Sequence, residues 1–411
     1  MQFFDSIQLK GWRQFGEVDL DLSKQVTILT GQNGCGKTTI LNILSRHFGW
    51  NTHFVSTPYV SKRDEKQFWS DVRDVRAADL EEPQPNGENR AEIGSIKYDN
   101  AQECLLWTKG IVTAQYQPSY DGQQQVVGLH IPSHRPPAVY YKVDSIPTDP
   151  KTAQQHYQNF NQLLQQTYGS SHGENPGVAQ KRSIISLALF GYGNAAVQPN
   201  AELRRIFESF QRILQDILPP DLGFERIEIR MPEVVLVTRS GEFALDAMSG
   251  GVNALFGMAW QIHLYGSTAE KCTVTIDEPE NHLHPTMQRS LLPSLAKAFP
   301  RYRFIVATHS PFIVTSFPES AVYGLVFNEG SKVTSRRLDR ADLAGTPNRV
   351  LREILDVSSN LPIWVEKEIK QALEEHTESD PKLRAEFVMR RLKELGLNDA
   401  LPEFRNDAES K

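Results

Sequence analysis

The sequence predicts an α/β protein built on a mixed β-sheet core with an antiparallel β meander, an inserted helical subdomain and a helical C-terminal tail. Three observations carry this. The first 30 residues alternate apolar and polar positions, and a buried-strand run, Gln25 to Thr30, leads into a glycine-rich turn and then a helix. Residues 151–218 read mainly as helix. Strand and helix patterns then alternate up to about residue 330.

Turns at Gly11, Gly16 and Ser23-Lys24 separate two N-terminal strands from the third. The helix expected over Lys37 to Arg46 places Ile40, Leu41, Ile43 and Leu44 on its apolar side. Residues 50–90 are irregular and polar, ending in the loop Glu82 to Gly87. Four β-type runs follow, Ile93 to Tyr98, Cys104 to Thr108, Val112 to Tyr116 and Val126 to His130, and they read as the meander. The helical stretch breaks at Gly169 to Pro176 and at Gly191 to Pro199, and its segment from Ala201 to Ile217 is stopped by Pro219-Pro220. Strands return at Ile227 to Arg230 and Val234 to Thr238, and the charged tail carries a cap at Ser379-Asp380-Pro381 and a stop at Gly396. The expected segments are 1–150, 151–220, 221–335 and 336–411.

Composition narrows the function classes. A chain of 411 residues, 39% hydrophobic and 23% charged, matches an ordinary globular protein. No apolar run nears the roughly 20 residues of a membrane span, and Met1 to Asp5 lacks the basic, then apolar pattern of a signal peptide. Cys35, Cys104 and Cys272 are too few for a disulfide framework and are not at metal-ligand spacing. A cytoplasmic protein with no membrane partner is expected. The net charge of −6 argues against a dedicated nucleic-acid binder. Lys62-Arg63, Arg204-Arg205, Arg336-Arg337 with Arg340, and Arg390-Arg391 read as solvated charge, although a DNA groove formed by a dimer stays open.

Gly31-Gln32-Asn33-Gly34-Cys35-Gly36-Lys37-Thr38 satisfies the phosphate-binding pattern G-x-x-x-x-G-K-[ST] in full, between a buried strand and an amphipathic helix. Its glycines let successive amides converge on a phosphate, and the helix N-terminus adds partial positive charge. Lys37 would bridge β- and γ-phosphate oxygens, and the Thr38 hydroxyl would ligate Mg²⁺. Gly31, Asn33, Gly34, Cys35, Gly36, Lys37, Thr38 and Thr39 are the ATP-binding candidates here. A second strand run, Thr273 to Ile276, ends in Asp277-Glu278, the pair hydrolysis needs: one carboxylate behind the metal, the other aimed at water. Alternation along a strand would point the two to opposite faces. His282 and His284 lack further ligands at zinc spacing and read instead as a loop packed on a partner subunit. Phe304 to Thr308 is another buried strand, ending in His309, a candidate γ-phosphate donor or a structural histidine. Ser249-Gly250-Gly251 opens a helix expected over Asn253 to Leu264, a second anion-binding design about 30 residues before the acid pair.

The order P-loop, Ser-Gly-Gly, Asp-Glu-Pro, Thr-His-Ser-Pro resembles an ABC-type P-loop ATPase head. Gly11-Trp12-Arg13-Gln14-Phe15 and Asp277 to Pro285 resemble the RecF/SMC-like branch, and within it the OLD-type and AAA-21-type ATPases, many of which serve anti-phage defence. The resemblance covers most of residues 1–330. It implies that Arg13 approaches nucleotide and that Ser249, Gly250 and Gly251 form the signature turn, gripping the γ-phosphate of ATP held by another copy. It further implies that Asp277 and Glu278 are the Walker B pair, Glu280 to His284 the D-loop region, and His309 the switch histidine. Met248 and Val252 depart from the usual Leu and Gln of the signature, and the Gln-loop has two candidates, Gln123 to Gln125 and Ser133-His134-Arg135. On this resemblance 1–150 and 221–335 are the two ATPase lobes, flanking the insertion 151–220 and followed by the tail 336–411.

The resemblance implies a head-to-tail homodimer, or a larger assembly of dimers, that hydrolyses ATP with Mg²⁺ at its interface. Three roles compete. The first is the ATPase or sensor subunit of a prokaryotic defence system acting with a separate effector protein. OLD-type nucleases end in a metal-binding domain with an Asp-x-Asp, which the tail from Val365 lacks. The second is a stand-alone RecF-like DNA-repair ATPase, without the long coiled coil of SMC proteins because 151–218 sustains no heptads. The third, a transporter subunit, fits poorly with Glu280 to Pro285 and the inserted meander.

Overall fold

The computed structural model describes residues 2–60, 65, 67–72, 90–110, 112–135, 139–146, 150–169, 174–267 and 269–339, with 343, 363–375, 387, 390, 391, 393 and 394 beyond them. The chain divides into two compact units, Met1–Ala344 and Gly345–Lys411. Within the second, Ile363–Glu375 is a helix; the cap and stop signals at 379–381 and 396, and the loop at 82–87, lie outside the described residues.

The first unit begins with an antiparallel hairpin, β1 (Phe4–Lys10) and β2 (Phe15–Asp21), whose alternation buries Phe4, Ile7 and Leu9 with Phe15, Val18 and Leu20. All six residues of β3 (Val26–Gly31) are buried, as a continuous apolar strand inside a sheet requires. Helix α1 (Lys37–Ser45) follows, and its Ile40, Leu41 and Leu44 pack with Trp12, Phe15, Ile305 and Leu325 in the main core. Short strands β4 (Phe54–Val55), β5 (Thr57–Val60) and β6 (Gln67–Ser70) precede β7 (Arg90–Tyr98), β8 (Glu103–Lys109), β9 (Gln115–Tyr116), β10 (Ser119–Asp121) and β11 (Gly128–Ile131).

Three helices come next: α2 (Ala153–Gly169), α3 (Pro176–Tyr192) and α4 (Ala201–Ile217). The breaks between them fall where the glycines and prolines predict. Asn175 and Asn200 cap α3 and α4, each accepting from the free amides of the first turn. Along α4, Leu203, Ile206, Phe207, Phe210, Leu214 and Ile217 form the buried stripe of an amphipathic helix. A separate sheet of β12 (Phe224–Arg230), β13 (Glu233–Thr238) and β14 (Gly241–Ala244) leads to α5 (Gly250–Gly266). Then β15 (Cys272–Asp277), α6 (Pro285–Ala298), β16 (Tyr302–Ala307), the one-turn α7 (Pro311–Val314), β17 (Ala321–Phe327) and β18 (Val333–Leu338) complete the unit.

Eleven of these strands form one mixed sheet in the order β10-β8-β7-β1-β2-β18-β17-β3-β16-β15-β11. Strands from both ends of the unit therefore share a single core. The half around β3 is parallel, with β17, β3, β16, β15 and β11 side by side, and the β1-β7-β8-β10 half is antiparallel. The meander is β7, β8 and β10. Of the four runs expected to build it, Val112 to Tyr116 contributes only β9, which pairs with β4 outside the sheet. The run Val126 to His130 supplies β11, parallel to β15 at the opposite edge. Its residues are all buried, unlike the half-exposed β8, so it takes a place covered on both faces.

Candidate functional site

Parallel strands deliver their carboxyl ends to one rim of the sheet, and the predicted chemistry collects there. Register sets Asp277 of β15 beside Ala307 of β16, and Ala307 beside Leu29 of β3, two residues before the glycine-rich loop. That loop demands glycine at specific places. Gly31 and Gly36 hold φ of +145° and +96°, and a Cβ at either would come within 2.4 Å of Leu325 O or Gln14 Nε2. Lys37 is buried, and its ammonium donates to Gly31 O at 2.9 Å and Gln32 O at 3.0 Å, folded over the loop. Burial lowers its pKa, against the raising influence of the Cys35 thiol, Asp277 and Glu278. Cys35 is buried beneath the loop, and burial raises its thiol pKa. Asn33, Gly34 and Thr38 remain exposed.

Thr38 Oγ1 donates to Asp277 Oδ2 at 2.9 Å, closing the loop onto the acid strand. Asp277 is 4% exposed, and its Oδ1 has no hydrogen-bond partner among the described residues. Burial pushes its pKa up to about 6, opposed by the Thr38 bond. A buried carboxylate with one oxygen unsatisfied beside a threonine hydroxyl is a donor set that fits Mg²⁺, which takes one or two protein oxygens and otherwise water or phosphate.

Glu278 lies beyond the strand, so backbone conformation rather than strand alternation separates it from Asp277. Its φ is +45°, a left-handed geometry uncommon outside glycine. The turn is over-determined: Glu278 N donates to Ala307 O at 2.9 Å, Arg135 donates to the carbonyls of Glu278 and Asn281 at 3.2 Å each, and Asn281 Nδ2 reaches Ser133 O. The Glu278 carboxylate accepts from Asn281 Nδ2 at 3.1 Å and lies 3.5 Å from His309 Nε2. His309 has its pKa lowered by burial and by nearby Lys37, against Glu278 and Glu280, which favours the neutral ring.

Glu280, Arg135 and Asn281 are the residues that motif reading missed or left unassigned. Glu280 Oε1 accepts from Thr308 Oγ1 and His309 N at 2.7 Å and from Ser310 N at 3.1 Å, fastening the histidine loop to the acid loop. Arg135 belongs to one of the two Gln-loop candidates. Because Ile131 pairs with Ile276, the segment 133–135 leaves β11 level with Glu278. Gln123 to Gln125 precede β11 at its other end, where Gln124 N donates to the Tyr98 hydroxyl. Only the buried run before Ser133 hinted at this placement.

Two other candidates sit differently. Arg13, at φ +51°, pairs with Asp71 at 3.2 Å, donates to Val55 O and lies over the Trp12 and Phe54 rings. Ser249 is the N-cap of α5 without a side-chain cap bond, and Ser249 and Gly250 are exposed. The turn packs on the 280–284 loop of its own chain: a Cβ at Gly251 would lie 3.0 Å from His282 O. His284 caps α6, accepting from Thr286 N at 3.3 Å. Among the described residues, no group of three or more His, Cys, Asp or Glu could hold a metal ion, and no helix is long and apolar enough to cross a membrane.

Two family models match the chain: an AAA domain over residues 6–99, and an "AAA domain, putative AbiEii toxin, Type IV TA system" over 164–315. Both matched segments are thus similar to AAA-type ATPase domains. The chain is 30% identical over 89 residues to the retron Ec83 probable ATPase of Escherichia coli, covering 22% of this chain and 16% of that protein. It is 22% identical over 179 residues to the Septu protein PtuA of Bacillus thuringiensis, covering 39% and 45%. It thus spans less than half the length of these curated relatives. The SMC head domain from Thermotoga maritima is similar at 15% identity and a TM-score of 0.43, covering 82% of this chain and 99% of that one.

Proposed function

We propose that this ATPase binds and hydrolyses Mg²⁺-ATP at the interface of a head-to-tail homodimer, as the ATPase and sensor subunit of a prokaryotic anti-phage defence system with a separate effector protein. The observation that carries the hydrolytic reading is the Thr38–Asp277 contact, with an unsatisfied Asp277 oxygen and Glu278 set within reach of His309. The loop amides and Lys37 bind the phosphates, and Lys37 must release Gly31 O and Gln32 O to do so. Thr38 and Asp277 would hold Mg²⁺, which would supply charge neutralisation to the bound phosphates. Glu278 orients and polarises the attacking water, and neutral His309 donates to the γ-phosphate.

The dimer reading rests on the exposed Ser249 turn, whose free amides and hydroxyl suit a phosphate on another copy. The defence role is supported by the resemblance to the retron ATPase and PtuA. A cytoplasmic location follows from that role. A complementation assay tests the composite site. Lys37→Ala and Ser249→Arg chains are each inactive alone, while their mixture regains turnover, because a mixed dimer keeps one site with intact Lys37 and Ser249. No recovery on mixing, with mixed dimers demonstrated, would refute it. Co-purification with the products of neighbouring genes, with and without ATP, tests the effector.

A further inference from the structure

Between the helices α2 and α3 and the start of α5 lies a cavity of about 380 Å³, the size range of small-ligand sites. One wall carries Phe160, Leu164 and Gln180; a second, Ala254 and Gly257; the third, Ile131, Arg135 and His282 from the rim of the ATP site. Two features set it apart from imperfect packing. Gly257 is inside α5, where glycine is less favourable than alanine, yet a Cβ there would meet no heavy atom within 4 Å. No neighbour requires glycine; its effect is to leave the cavity open. Gln180 is only 7% exposed, and its amide nitrogen has no hydrogen-bond partner. Three other polar side chains on the same walls are bonded: the Gln261 amide donates to Gly257 O, Asn175 accepts from Gly177 N and donates to Tyr141, and Asp246 accepts from Lys181. An amide left without a partner on the wall of a mostly apolar cavity keeps hydrogen-bonding capacity that a ligand can meet.

We propose that this cavity binds a small planar heterocycle with adjacent hydrogen-bond donor and acceptor, the chemistry of a nucleoside base. Gln180 recognises the edge of the base, as glutamine amides do with adenine, and the apolar side chains Phe160, Leu164 and, from the third wall, Ile131 take its faces. The occupant touches both Gly250 of the signature turn and Arg135, which holds the Glu278 carbonyl. It therefore biases ATP turnover. That coupling rests on the composite-site reading above, whereas the binding does not.

The test uses the full chain with Lys37→Ala, so that the phosphate loop does not contribute, titrated calorimetrically with adenosine, guanosine, cytidine and uridine. At least one binds with one-to-one stoichiometry. Gln180→Met weakens it about tenfold or more, and Gly257→Leu, which fills the cavity, abolishes it, while both variants keep a cooperative thermal transition. Turnover of the parent chain with and without that nucleoside reads the coupling separately. Absence of saturable binding by every probe, or binding unchanged by either substitution, overturns the proposal.

Discussion

Asp277→Asn should stabilise the protein while disabling it. The Asp277 carboxyl has a folded pKa of about 6 against an ordinary 3.8, chiefly because burial disfavours its charge. At about 1.4 kcal/mol per pH unit, holding it ionised costs the native state about 3 kcal/mol at pH 7.5. The sign follows from proton binding: between those two values the folded chain binds more protons than the unfolded one, so this contribution to stability falls as pH rises. Asparagine keeps an acceptor for Thr38 and removes the charge. Urea unfolding in EDTA should therefore place the variant about 3 kcal/mol above the parent at pH 7.5 and about half that at pH 5, where most of the parent carboxyl is already protonated. Adding Mg²⁺ with ATP should raise the parent and leave the variant nearly unmoved, since a ligand stabilises only the state that binds it. A variant less stable than the parent at pH 7.5, or equally stabilised by Mg²⁺-ATP, would refute the view that Asp277 is a strained charge awaiting a cation.

Glu278→Gln should bind ATP normally and lose turnover by about 10²–10³-fold, read from phosphate release beside a nucleotide-binding titration; normal turnover would remove Glu278 from its role. Glu280→Ala leaves the Thr308 hydroxyl and the His309 and Ser310 amides without their shared acceptor. It should cost about 2–4 kcal/mol in urea unfolding and lower turnover toward the level of His309→Ala, because it misplaces the ring that His309→Ala removes. His47, His130, His156 and His263 have their pKa values pushed down to about 4, chiefly by burial. Their unfolded forms bind protons first, so stability should drop as pH falls from the ordinary value of 6.5 toward 4, by up to about 3 kcal/mol for each ring. A circular-dichroism melt unchanged between pH 7 and 5 would contradict this.

What could be read from the sequence was what short-range chemistry dictates. The loop from Gly31 to Thr38 declares itself because backbone sterics leave glycine alone at φ +145° and +96°. Ala201 to Ile217 declares itself because one stripe of a helix must be apolar. The parts that stayed hidden depend on pairing across long separations. Val126 to His130 looks like one more antiparallel strand, and only its parallel register with β15, nearly 150 residues later, brings Ser133 and Arg135 to Glu278. Glu280 likewise looks like an ordinary loop acid, since its three donors come from residues 28–30 positions further along. The left-handed Glu278 belongs to the same class: a strand pattern predicts alternation, and it takes Arg135 and Ala307 together to hold the exception.

These hidden contacts explain why the loop that supplies the acids is a single mechanical piece. Arg135 ties it to the segment after β11, Glu280 to the histidine loop after β16, and Thr38 joins Asp277 to α1. A displacement at any of the three strand ends therefore moves Glu278 relative to the phosphate loop. His282 extends the linkage, since the Ser249 turn packs against it through Gly251. On the composite-site reading, a phosphate arriving at Ser249 on one copy pushes on the same loop that carries that copy's own Glu278. Two sites in a dimer would then report on each other through His282. Replacing Gly251, whose Cβ would crowd His282 O at 3.0 Å, should weaken that communication as well as binding at the turn.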